Sequence, residues 1–173
     1  MKLNTARLVI RLFEADDFTD YYNYITEPYL QEMLGLRDVS DRNSALLTFN
    51  WLMENRRFLA LVLDGTAIGH ICIHPMYADA LGSDTRFDGK NGASLSFAIA
   101  KAYRRQGLME EALRAVIAQL FDEGTDYLDC EYITQNTPSG ALQEKLGFRF
   151  YKEERFDDIT LITGILEKRD GHC

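Results

Sequence analysis

Ala102-Tyr103-Arg104-Arg105-Gln106-Gly107-Leu108-Met109-Glu110-Glu111 is the stretch on which the reading of this chain turns. It follows a strand-like apolar run, residues 93–100, and opens a helical pattern over 108–121 with Met109, Leu113, Val116 and Leu120 on one stripe. A glycine at a strand-to-helix turn lets the backbone curl closely around an anion. The helix start beyond it offers unpaired N–H donors and a favourable dipole. Arg104, Arg105, Gln106, Gly107, Leu108 and Met109 therefore form a candidate pyrophosphate site. A helix start with a glycine and two solvated arginines would look the same. The turn lacks the Lys-Ser/Thr of a triphosphate loop and the three spaced glycines of a dinucleotide turn, which leaves a nucleotide triphosphatase or a dehydrogenase with little support.

Outward from this turn, strand and helix patterns interleave. Leu8, Ile10 and Leu12 alternate with Arg7, Val9 and Arg11, as in a strand with one face inward. Residues 16–34 are helical and rich in rings, with Phe18, Tyr21, Tyr22, Tyr24 and Tyr29, and Pro28 divides them into two helices. Those rings are core, or they line an acceptor pocket. A further helix over 40–56 takes Ser40 as its cap. Residues 58–63 and 66–73 form a hairpin about Asp64-Gly65. Residues 74–92 are long for a connection and read as a mobile loop or a lid. Then come a helix stop at Gly124, a strand over 127–135, a short helix over 139–146 ended by Gly147, and a final strand pair over 148–166. This is a mixed α/β or α+β pattern, a sheet covered by helices.

The chain has 173 residues, the size of one domain, with 46% hydrophobic and 27% charged residues. A single domain over 1–173 is expected. No apolar run is long enough to cross a bilayer, and Met1-Lys2-Leu3-Asn4-Thr5 is not a secretory signal, so the expectation is a cytoplasmic protein without a membrane partner. A net charge of −8 argues against a nucleic-acid surface and would suit a cationic acceptor, although it also serves plain solubility. Cys72, Cys130 and Cys173 are widely spaced and read as free thiols, with no metal set.

A second block, Asn136-Thr137-Pro138-Ser139-Gly140-Ala141-Leu142-Gln143-Glu144-Lys145-Leu146-Gly147-Phe148, gives the turn its context. Arg104, Gly107 and Met109 fall on the Gln/Arg-x-x-Gly-x-Gly/Ala signature of the GNAT superfamily of CoA-dependent N-acetyltransferases. Met109 departs from the small residue usual there. The second block is similar to that family's Asn-x-x-Ser segment followed by Lys-Leu-Gly-Phe. Thr5-x-Arg7-Leu8-x-Ile10-Arg11 is similar to its Rim-type branch, which includes acetyltransferases of ribosomal-protein N-termini. The resemblance implies a GNAT fold: a central twisted, mostly antiparallel sheet with a splayed strand pair, flanked by helices. It implies acetyl-CoA as co-substrate and a primary amine, a peptide N-terminus or a small molecule, as acceptor. Members are often monomers or homodimers.

Residue by residue, the resemblance gives the backbone of Phe97, Ala98 and Ile99 to the pantetheine arm and residues 104–109 to the pyrophosphate. Asn136 and Ser139 then touch the far pantetheine, and the thioester lies in the strand gap. Asn136 also reads as a helix cap before Thr137-Pro138, and Gly147 as a C-cap. Direct transfer needs a proton acceptor, an oxyanion donor and a proton for the leaving thiolate. Glu131, five residues before Asn136, stands where N-terminal acetyltransferases place a base; it also reads as part of a polar strand face with Asp129. The N–H of Ile99 would meet the oxyanion. The family's tyrosine acid is replaced by Gln143, which leaves Ser139 as substitute or no acid at all. His70 reads as a packed polar residue, His74 as the end of the hairpin, and Cys130 as a small buried residue. The second reading is an acyl-CoA-binding GNAT-like sensor or interaction module with little catalysis.

Overall fold

The structure, a computed structural model, describes residues 1–34, 39, 41–76, 81 and 84–168. The chain packs as two compact units: Met1–Ile73 with Phe97–Val116, and His74–Ser96 with Ile117–Cys173.

In the first unit, β1 (Lys2–Asn4), β2 (Val9–Leu12), β3 (Arg57–Leu63) and β4 (Thr66–Pro75) lie side by side in that order and pair antiparallel. Asp64 and Gly65 are both left-handed, at φ of 49° and 85°, as a two-residue hairpin turn requires. Leu8 and Ile10 are buried as expected, but Leu12 is 50% exposed. The alternation slips at the end of β2: Phe13, one residue on, turns inward and stacks on Phe58 at 4.2 Å.

Three helices cover this sheet: α1 (Phe18–Ile25), α2 (Pro28–Leu34) and α3 (Arg42–Asn55). Pro28 opens α2, where its missing N–H is one the first turn leaves unpaired anyway. Asp41 caps α3, accepting from the N–H groups of Asn43 and Ser44 at 2.8 Å; the expected cap, Ser40, lies outside the described residues. Phe18, Tyr21 and Tyr24 belong to one buried cluster with Phe13, Phe49 and Phe58. For these three rings the core reading holds.

Strand β5 (Gly92–Ile99) is divided between the units. Its end runs close beside β4. The N–H of Ala100 donates to Ile68 at 2.8 Å, and a Cβ on Gly69 would fall 2.4 Å from the carbonyl oxygen of Ala98. Only glycine permits that approach. Helix α4 (Leu108–Asp122) is divided in the same way.

In the second unit β6 (Tyr127–Ile133), α5 (Thr137–Leu146), β7 (Arg149–Phe156) and β8 (Ile159–Glu167) follow in sequence, and the strands lie in the order β5-β6-β8-β7. The β6–β8 and β7–β8 pairs are antiparallel. The β5–β6 pair is parallel, from Gly92↔Tyr127 to Leu95↔Cys130, where the register ends. Helix α5 starts two residues before the expected Ser139, because Asn136 caps it and Pro138 fits its first turn. Phe87 packs on Tyr127 at 4.4 Å in a small core with Leu81 and Ile165. Part of the 74–92 connection is therefore anchored. Cys72 and Cys130 are free and buried; Cys173 lies outside the described residues. The whole is a mixed α+β fold with mostly antiparallel strands flanked by helices. Among the described residues no helix is long and apolar enough to cross a membrane.

Gly69→Ala should lower the urea unfolding free energy by about 1–3 kcal/mol, because the added methyl meets backbone that cannot rotate away. Unchanged stability would mean that β4 and the end of β5 are not in this contact.

Candidate active site

In the first unit, Phe97, Ala98 and Ile99 end β5, and a short 3₁₀ turn, Lys101–Tyr103, leads into the Gly107 turn. One carboxylate braces this passage. Glu27 accepts from the N–H of Lys101 at 2.9 Å and from the Arg104 guanidinium at 2.6 Å. Arg104 also donates through Nε to the Ile99 carbonyl at 3.0 Å and lies 4.7 Å over the Tyr29 ring. The Arg104 side chain thus fixes the path from β5 into the turn.

Beyond Arg104 the chain reverses through Arg105 at φ 64° and Gly107 at φ 75°. An L side chain is strained in that region, and glycine is not, so Gly107 suits its place for conformational reasons. The first bond of α4 runs from Glu111 N–H to the Gly107 carbonyl at 3.0 Å. The N–H groups of Leu108 and Met109 precede that bond and consequently have no helical acceptor, and the positive end of the dipole faces the same way. Leu108 and Met109 are buried. The bulk of Met109, irregular in the motif, is packed inside with the stripe of α4. Arg105 is exposed and has no ion-pair partner among the described residues. A groove of about 600 Å³ lies in the same unit, lined by Asp20, Tyr24, Glu27, Ala67, Ile68 and Lys101 among others.

In the second unit, Glu131 is exposed on β6, one residue past the last β5–β6 pair, and accepts from the buried Thr163 hydroxyl at 3.1 Å. The buried carboxyl of this strand is that of its neighbour. Asp129, two residues back on the same strand face, is 4% exposed. Burial pushes its carboxyl up to about 6; a hydrogen bond from Ser94 opposes the shift and the Glu131 charge adds to it. Its Oδ1 has no hydrogen-bond partner among the described residues. The polar face that the alternation suggested is thus one solvated and one buried carboxyl.

Asn136 accepts from Ser139 N–H at 3.3 Å, the capping bond expected of it. Gln143, at the tyrosine position of the family, is 3% exposed, and its Nε2 donates to Ser139 Oγ at 3.4 Å. Its Oε1 has no partner among the described residues, and Gly164 leaves room for it: a Cβ there would stand 3.0 Å away.

His70 is buried against the Tyr24 hydroxyl at 2.9 Å, as a packed polar residue, and His74 meets Ser96 Oγ at 2.8 Å. Cys130 is buried, as a small packed residue, and burial raises its thiol far above the ordinary value.

The structure thus brings Phe97, Ala98, Ile99 and residues 104–109 together in one unit, and Glu131, Asn136 and Ser139 in the other. Sequence reasoning missed Glu27 and Asp129. Glu27 sits in the break before Pro28 and gives no local signal of a partner 77 positions away. Asp129 was visible as a carboxylate flanked by Leu128 and Cys130, an apolar setting that hints at burial.

The fold is a mixed sheet with a glycine turn between β5 and α4. The GNAT acetyltransferase domain model matches residues 7–149, and the chain belongs to that family, whose members use acetyl-CoA to acetylate amines. Solved structures agree in fold. A GNAT-family acetyltransferase from Bacillus anthracis matches at TM-score 0.81 and 18% identity, over 96% of this chain and 98% of that one. The ribosomal-protein-S5-alanine acetyltransferase from Vibrio fischeri matches at TM-score 0.76 and 14% identity over 100% of both chains. RimL, a ribosomal L7/L12 alpha-N-protein acetyltransferase solved in complex with coenzyme A, matches at TM-score 0.80 and 10% identity, over 96% and 98%. None of the curated proteins matches the chain.

Asp129 also yields a pH test. Its folded value of about 6 exceeds the ordinary 3.8. Between those values the native state holds a proton that the unfolded chain has lost, so this group lowers stability as pH rises through the window. Asp129→Asn should therefore gain on the parent in urea unfolding as pH goes from about 4 to above 6.5, by up to ~3 kcal/mol. A difference independent of pH would contradict the buried carboxyl.

Proposed function

We propose that this chain is one GNAT domain that transfers the acetyl group of acetyl-CoA to a primary amine by direct attack in a ternary complex. The observation that carries the reading is the turn from Arg104 to Met109. There a left-handed Gly107 and the N–H groups of Leu108 and Met109, which have no helical acceptor, suit a pyrophosphate.

The proposed roles are as follows. Backbone groups of Phe97, Ala98 and Ile99 pair with the pantetheine amides, and Asn136 and Ser139 bond its far end. Glu131, solvent-reachable and oriented by Thr163, takes the ammonium proton directly or through water. The neutral amine then attacks the thioester carbonyl, and the Ile99 N–H meets the oxyanion as the tetrahedral intermediate forms. When that intermediate collapses, the C–S bond breaks and the thiolate takes up a proton. Gln143 donates to Ser139 Oγ, which leaves the hydroxyl hydrogen of Ser139 free to point at the leaving sulfur. The acceptor is proposed as a peptide N-terminus or a small amine. The Thr5-x-Arg7 segment supports the Rim-type branch, and two of the similar folds carry names of ribosomal-protein acetyltransferases.

The second reading, an acyl-CoA sensor, draws on one feature: Gln143 cannot release a proton where the family places a tyrosine. CoA release measured against a panel of peptides and amines separates the two. Turnover on any acceptor supports the enzyme, and tight CoA binding without turnover on all of them supports the sensor. With an acceptor in hand, Glu131→Gln should lower kcat by about 10²–10⁴; an unchanged rate and pH profile would remove Glu131 as base. Gly107→Glu should abolish CoA binding in calorimetry, whereas Met109→Ala should keep it, because Met109 points inward.

A further inference from the structure

We infer that Arg7 is a positioning residue for the donor: together with Thr5 and Glu111 it holds the Gly107 turn in its anion-accepting form. This rests on residues 104–109 being the pyrophosphate site. The function proposed above gives the Thr5-x-Arg7 segment no task beyond marking a branch, yet it is bonded directly to the turn.

Glu111 in the first helical turn accepts from Thr5 Oγ1 at 2.5 Å, from the Arg7 N–H at 2.8 Å and from Arg7 Nε at 2.6 Å. The other arm of the guanidinium, Nη1, donates to the Gln106 carbonyl at 2.8 Å. Nη2 stands 3.6 Å from where a Cβ on Gly107 would be. One guanidinium thus grips the helix and the turn at once.

Two consequences follow from elementary geometry and charge. In a trans peptide the C=O and the next N–H point in opposite directions. By drawing the Gln106 carbonyl to its side, Arg7 turns the Gly107 N–H the other way, as a donor needs if it is to meet an anion. Glu111 would otherwise place a negative charge within one turn of that anion. The Thr5 and Arg7 bonds hold its carboxyl below the ordinary range, so the charge is always present, and Arg7 cancels it. The Arg7 side chain is 45% exposed, and an ion pair so exposed contributes little to folding. Removing it should therefore cost donor affinity and not the fold.

The test compares CoA with pantetheine, which keeps the thiol arm and lacks the pyrophosphate, by calorimetry on the full chain. Arg7→Ala should weaken CoA at least tenfold, leave pantetheine within twofold and leave the melting temperature nearly unchanged. Arg7→Lys keeps the charge but cannot hold Glu111 and Gln106 with one rigid fork, and should also weaken CoA selectively. It serves as well if the alanine variant folds poorly. CoA affinity unchanged in both variants, or equal losses for CoA and pantetheine, would overturn the role of Arg7. If the parent protein itself binds CoA no better than pantetheine, the pyrophosphate reading fails first and this role fails with it.

Discussion

The Gly107 turn keeps its shape because charged side chains from elsewhere in its unit hold it on either side. Glu27, between α1 and α2, takes the Lys101 N–H and the Arg104 guanidinium; Arg7, just ahead of β2, takes the Gln106 carbonyl and the Glu111 carboxylate. Between these anchors the backbone passes through two left-handed residues and enters α4, whose Leu108 and Met109 N–H groups have no helical acceptor. A loop is costly to leave unsupported, and here the supports are ion pairs together with the buried Leu108 and Met109 side chains. The proposed donor site is thus one in which backbone groups would meet the ligand while the Arg104 side chain holds the frame. A large Met109 is compatible with that proposal, because its side chain belongs to the core.

The second unit sets two carboxyls of different character on one strand face. Glu131 is open to solvent and oriented by Thr163, while Asp129 is sealed beside Ser94 with its proton retained toward neutral pH. Burial alone distinguishes these two neighbouring carboxyls on the strand. At the start of α5, Asn136, Ser139 and Gln143 form a short chain of bonds in which the cap and the proposed acid share one helical turn.

Much of this was legible in the sequence because the deciding signals are local. The Asp64-Gly65 hairpin, the Asn136 cap and the glycine between strand and helix depend on neighbours a few residues away, and the structure has the hairpin and the cap where spacing put them. The misses are long-range. Leu12 reads as inward until the packing of Phe13 on Phe58 shifts the alternation. Glu27 and Arg7 show nothing in their own surroundings that names Arg104 or Gln106 as partners. The burial of Asp129 depends on strands that the local pattern does not pair.

The most direct measurement is an amide-resolved NMR titration of the labelled protein with CoA. If residues 104–109 receive the pyrophosphate, the amides of Gly107, Leu108 and Met109 should move most, and adding free inorganic pyrophosphate should perturb the same amides. Saturable CoA binding that leaves those three amides in place would contradict the site on which the rest is built.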